Sequence, residues 1–153
     1  MKIKIYKSGG ELQTPIDFNQ NKNEQAKNTK AYTFLAKEYG ERYRLLNVEN
    51  KYKVKNPDAL NLKTYQFSDA KIPTTENGKN AIQNSIKEAS KQNVAEAYIY
   101  LERKYKMQDI WAGLKAALQG DRAKTIETVI IKLEDNELKR YEMKKIRQIF
   151  NKK

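Results

Sequence analysis

Two stretches of this chain are apolar on consecutive residues rather than on alternate ones: Tyr98-Ile99-Tyr100-Leu101 and Thr128 to Leu133. Strands of that kind suit central positions in a sheet, with both faces covered. The second is also β-branched, which favours a pleated surface. Between them Met107, Ile110, Trp111, Leu114 and Leu118 fall on one face at helical spacing, and Gly120 supplies a stop. This succession of strand, helix and strand commits the chain to a sheet with helices packed on it.

The other segments extend the pattern. Residues 1–22 read as an irregular arm, broken by Gly9-Gly10 and Pro15, with a short strand at Lys2–Tyr6. A helix is expected from Asn23 to Tyr39, with Ala26, Ala31, Phe34 and Leu35 as its stripe and Gly40 as its stop. Tyr43–Val48, Lys51–Val54, Ala59–Leu62 and Thr64–Phe67 read as a β-meander bent at Asn56-Pro57-Asp58. Residues 69–78 read as a loop. A second helix, Lys79–Lys91, turns Ile82, Ile86 and Ala89 inward. Asp135-Asn136 turns the last apolar strand into a hairpin with Glu137–Met143, and a basic helix, Lys144–Phe150, closes the chain.

The predicted fold is therefore α+β: a mixed, mainly antiparallel central sheet with packed helices, in one domain over 23–153 after the N-terminal arm 1–22. Its expected core is Leu35, Leu45, Phe67, Ile82, Ile86, Ile99, Leu101, Ile110, Trp111, Leu114, Ile130 and Leu133.

At 153 residues the chain is long enough for one such core without staples. It has neither cysteine nor histidine. That excludes disulfides, thiolate nucleophiles, a Ser-His-Asp triad, a histidine base and imidazole ligation. Any chemistry falls to carboxylates, Lys, Arg, Tyr, Ser, Thr, amides or a bound ion. No apolar run approaches the roughly 20 residues of a membrane span. The start, MKIKIYKSGG, has no apolar run after its charges, so no secretory signal is expected. A cytoplasmic address without membrane attachment follows as the expectation.

The net charge of +12 attracts polyanions, and nucleic acid, RNA ahead of DNA, is the expected partner. Asp58, Gln66 and Ser68 can converge at one end of a hairpin, with Asp58 as ligand to a divalent metal ion. Asp58 capping a turn after Pro57 is the alternative. Lys79, Gln83, Lys87 and Lys91 recur at one-turn spacing on the outer face of the second helix, suited to a phosphate backbone or to a plain solvated face. Lys79 or Lys87 can stabilise charge at a scissile phosphate. Arg122 and Lys124 lie in a loop before a central strand, and Lys144, Lys145 and Arg147 in the basic C-terminal run. These, with Lys91, are the candidate nucleic-acid contacts. Tyr32, Tyr39, Tyr43, Tyr52 and Tyr65 are candidates for base stacking or for packing.

The succession Asn56-Pro57-Asp58-Ala59-Leu60, Thr64-Tyr65-Gln66-Phe67-Ser68, Ala81 to Gln92 and Tyr98-Ile99-Tyr100-Leu101 resembles the C-terminal toxin domains of contact-dependent growth inhibition proteins. It also resembles related phage and mobile-element nucleases of the barnase, EndoU, colicin and RelE type. In that pattern a Pro-Asp on one strand is followed by an acidic-x-lysine element on the next. The resemblance implies a ribonuclease, often acting on transfer RNA, sometimes with an acidic immunity protein. Asp58 matches the Pro-Asp. Gln66 and Ser68 stand where the acid and lysine are expected, which makes the catalytic motif incomplete on this reading. A catalytically inactive nucleic-acid module and a protein-interaction domain on the same fold stay open beside the nuclease.

Overall fold

The computed structural model describes residues 1–50 and 55–151. Its eight strands, of mixed and mainly antiparallel pairing, and its four helices make an α+β fold among the described residues. The chain packs as two compact units, Met1–Ala70 and Lys71–Lys153.

In the first unit β1 (Lys2–Ile5) and β2 (Glu11–Thr14) form an antiparallel hairpin. Helix α1 (Lys22–Tyr39) then crosses to β3 (Arg42–Leu45), which lies parallel to β2. β4 (Ala59–Asn61) and β5 (Phe67–Lys71) complete the expected meander with β3. Asn21 starts α1 by accepting from the Glu24 N–H at 2.9 Å. Gly40 ends it in the left-handed region at φ 68°, its N–H returning to the Ala36 carbonyl. Ala31, Tyr32, Leu35 and Ala36 are its buried face.

Two expectations for this unit need correction. Residues 1–22 are not an irregular arm with one short strand, because β2 lies among them. Gly9, at φ 90°, turns the hairpin. Gly10 packs so closely on α1 that a Cβ there would overlap the Ala36 carbonyl. The strand expected over Thr64–Phe67 begins only at Phe67 and runs into the expected loop, to Lys71. The cause is Asn61, whose Oδ1 accepts from the N–H groups of Lys63 and Thr64 at 2.9 and 3.2 Å and so closes a local turn. Tyr65 leaves that turn at φ 57°. Phe67 is accordingly 48% exposed and no part of the core. The strand expected at Lys51–Val54 lies outside the described residues.

The second unit holds α2 (Gly78–Lys91), β6 (Glu96–Tyr100), α3 (Met107–Ala117), β7 (Thr128–Lys132), β8 (Leu138–Glu142) and α4 (Met143–Asn151). β6 and β7 are parallel, and β8 returns antiparallel through a turn in which Asn136 has φ 71°. Ile82, Ile86, Ile99, Leu101, Ile110, Leu114 and Ile131 are buried together in one core. Each such side chain contributes about 1.5–3 kcal/mol by leaving water. Helices α2 and α3 approach so closely that a Cβ on Gly113 would lie 2.6 Å from Ile82 Cβ. Trp111 and Leu133, expected in this core, are only partly buried against it. Trp111 meets the rings of Tyr141 and Phe150 edge-on, 5.4 and 5.8 Å between centroids.

Candidate functional site

Asp58 stands immediately before β4 and is almost fully buried. Its Oδ2 accepts from the Ala70 N–H at 3.0 Å and from Lys27 Nζ at 3.2 Å. Its own N–H donates to the Ser68 carbonyl at 3.1 Å and to Asp69 Oδ1 at 3.0 Å. Asp58 and Asp69 are thus bound across the β4–β5 hairpin, backbone to side chain. Lys27, from α1, also donates to the Ala70 carbonyl and pairs with Glu24, both at 2.8 Å. Burial pulls the Lys27 ammonium down, but Asp58 and Glu24 outweigh it and hold its pKa above the ordinary lysine value.

Behind Asp58, Gln20 donates to the carbonyls of Leu46 and Asp58 at 2.8 and 3.4 Å. It accepts from Asn28 at 2.8 Å. Asn28 is fully buried, and its Oδ1 has no hydrogen-bond partner.

The other expected members of this site are placed differently. Ser68 is fully buried, 2.7 Å from the Tyr32 hydroxyl, and the Tyr32 ring packs on Tyr43 at 4.8 Å. Gln66 precedes β5 instead of alternating with Ser68 on a strand, and its carbonyl accepts from the Asn61 N–H at 2.9 Å.

What the sequence reading passed over is Asp69-Ala70-Lys71, an acidic-x-lysine element that occupies the end of β5. Period-two alternation sets residues 69 and 71 on one side of that strand. Asp69 is 2% exposed. The letters carry that signal, but the sequence pattern places these residues in a loop. Lys27 and Glu24 were also missed, because nothing local in α1 marks them as partners of Asp58.

In the second unit Lys79, Lys87 and Lys91 are exposed along α2, with Gln83 half-buried in the same row. Glu88, next to Lys87, pairs with Lys71 at 3.7 Å. Arg122 spends one guanidinium N–H on the Ala116 carbonyl at 2.9 Å, at the end of α3. Lys124 is exposed, as are Lys144, Lys145 and Arg147 on α4, where Lys145 lies 3.5 Å from Glu142. Asp58, Gln66 and Ser68 belong to the first unit, and Lys79, Gln83 and Lys87 to the second. Among the tyrosines, Tyr32 and Tyr43 are buried, Tyr39 and Tyr65 are exposed, and Tyr52 lies outside the described residues.

Among the described residues no group of three or more acidic side chains is placed to hold a metal ion. None of the helices there is long and apolar enough to cross a membrane.

No protein-family model and no curated protein matches the sequence. Among solved structures, the fold is similar to that of a chain in the CdiA-CT/CdiI toxin and immunity complex from Burkholderia pseudomallei. The TM-score is 0.61 at 15% identity, and the match covers 86% of this chain and 98% of that one. At that identity the likeness is one of fold.

Proposed function

We propose that the chain is a toxin-type nuclease domain acting on RNA, transfer RNA included, with its site on the β4–β5 hairpin at Asp58, Asp69 and Lys71. One observation carries this reading. β5 runs over Phe67–Lys71, so the acidic-x-lysine element that follows Pro57-Asp58 is Asp69-Ala70-Lys71. The motif that is incomplete at Gln66 and Ser68 is complete three residues further on. The shared fold with a chain of a toxin and immunity complex supports the toxin reading. The net charge of +12 supports a nucleic-acid substrate and an acidic immunity partner.

The donor set fits a hard divalent ion of the magnesium class, which is held by one or two carboxylates and completed by water and substrate phosphate. Asp58 and Asp69, which are joined across the hairpin, would hold it. When bound, such an ion stabilises the charge on the phosphate and lowers the pKa of its water. The chain's own residues do the rest. Lys27 fixes the Asp58 carboxylate, the Asp58 N–H fixes Asp69, and Lys71 stabilises the extra negative charge at the scissile phosphate.

The test is incubation of purified protein with total transfer RNA, with magnesium and with chelator. Wild type and Gln66→Ala cleave, while Asp69→Asn and Lys71→Ala lose about a hundredfold or more. Full activity in Asp69→Asn would sink the assignment. One observation favours a second reading, a catalytically inactive RNA-binding module: Asp58 Oδ2 is already engaged by Lys27 and Ala70. Salt-sensitive binding without cleavage in wild type would select it.

A further inference from the structure

Strand β1 is an edge of the sheet, paired with β2 alone among the described residues. The ladder fixes which of its backbone groups face outward. The Tyr6 N–H donates to the Gly10 carbonyl at 2.9 Å, and the Glu11 N–H, opposite Ile5, turns away to the Glu41 carbonyl at 3.0 Å. In an antiparallel pair the bonded positions alternate, so Lys2 and Lys4 bond inward to β2. Ile3 and Ile5 turn their N–H and C=O groups to the open edge. The whole strand is exposed, Ile3 at 57% and Ile5 at 72%. Open amides beside exposed apolar side chains are a template for a further strand.

That template is already fixed in place. In the β1–β2 turn Ser8 Oγ donates to the Ala36 carbonyl of α1 at 2.6 Å, and Gly10 lies against the same carbonyl. A strand that adds here meets an ordered edge, which lowers the entropy cost of binding.

The side chains select the partner. Lys2 and Lys4 share the face of Leu12, and Ile3 and Ile5 share the face of Gln13 and Glu11. An added antiparallel strand meets Lys2 and Lys4 at its closely spaced, non-bonded positions, where like charges destabilise and opposite charges stabilise. A second copy of β1 is a poor match. Centred on Ile3, antiparallel self-pairing sets Lys2 opposite Lys4; centred on Lys4, it sets Lys4 opposite Lys4. A strand that alternates acidic with apolar residues answers both faces. A nucleic-acid backbone offers these amides no matching row of donors and acceptors.

We propose that β1 is a docking edge for a strand of an acidic protein, which extends the sheet with carboxylates opposite Lys2 and Lys4 and apolar side chains beside Ile3 and Ile5. The inference goes beyond the nuclease reading and involves neither Asp69 nor Lys71.

The experiment titrates isotope-labelled full-length protein with two end-blocked peptides, one alternating Val with Glu and one alternating Val with Lys, followed by NMR and amide exchange. The Val-Glu peptide is expected to shift and protect the amides of Ile3 and Ile5, and the Val-Lys peptide to bind about tenfold more weakly. Lys2→Glu with Lys4→Glu, two exposed changes, reverses that order. Ile5→Pro removes an outward donor but no bond to β2, and weakens Val-Glu binding about tenfold. Equal binding of the two peptides by wild type overturns the proposal, whether or not the variants fold. So does protection of Ile3 and Ile5 that rises with protein concentration in the absence of peptide, which gives the edge to a second copy. A single-stranded uridine oligonucleotide that shifts these amides at lower concentration than the Val-Glu peptide gives the edge to RNA and overturns it as well. None of these readouts uses RNA cleavage, so the edge and the nuclease site stand or fall separately.

Discussion

Lys27 Nζ lies 3.2 Å from Asp58 Oδ2, and both side chains are largely covered, at 16% and 12% exposure. Removing one partner of such a pair strands the other charge in a medium that solvates it poorly. Lys27→Met is expected to destabilise the protein by about 3 kcal/mol. The pH dependence has a definite sign. The Lys27 pKa is raised on folding, so its contribution is fully present below the ordinary value of 10.5 and is lost as pH rises through the folded value. Urea unfolding across the alkaline range should show wild type losing this increment and Lys27→Met lacking it.

Ser68 separates the two registers open to the proposed acidic-x-lysine site. Had the acid and lysine belonged at 66 and 68, the double change Gln66→Glu with Ser68→Lys would restore activity. Ser68 is fully buried against the Tyr32 hydroxyl, so a lysine there brings an unpaired charge into the first unit's interior. The expected outcome is a loss of stability of about 3 kcal/mol or more, with poor soluble yield. A well-folded double variant that cleaves transfer RNA faster than wild type would return the site to 66 and 68.

The two hairpin glycines predict unequal effects. Gly10→Ala drives a methyl group into the Ala36 carbonyl, an overpacking expected to cost about 3 kcal/mol. Gly9→Ala meets open space and bears only the strain of φ 90°, about 1 kcal/mol. Thermal unfolding of the two single variants checks the order. Equal melting temperatures would mean that the β1–β2 hairpin does not press on α1.

The α2 lysines are testable through salt. Neutralising Lys79, Lys87 and Lys91 to Gln should weaken RNA binding and lower the slope of log K against log salt by about 2, if all three neutralise phosphates of a single strand. An unchanged slope would make this row a solvated surface and move the contact to the cations of α4.

Most of the fold was legible because its signals are local and redundant. Two doubly apolar strands, helix stripes of consistent period and a glycine past Tyr39 all agree with the tertiary structure. Besides the missed strand β2 and the half-buried Trp111 and Leu133, what failed was one turn. The strand propensities of Thr64, Tyr65 and Phe67 are real, but the Asn61 side chain captures two backbone N–H groups and delays β5 by three residues. That single side-chain competition is why the sequence puts Phe67 in the expected core and Asp69 and Lys71 in an expected loop. Lys27 was illegible for another reason: its partner is 31 residues away. No window of sequence reports a contact of that separation.

The four hydrogen bonds made by residues 68, 69 and 70 bear on assembly of the hairpin. Ser68 meets the Tyr32 hydroxyl, Asp69 accepts from the Asp58 N–H, and the Ala70 N–H donates to the Asp58 carboxylate while its carbonyl accepts from Lys27. A strand slipped by one position turns every side chain to the opposite face, and one slipped by two restores the faces but offers the wrong groups. Misaligned hairpins therefore take Ser68 from the Tyr32 hydroxyl and the Ala70 carbonyl from Lys27, so the helix proofreads the strand against which it closes.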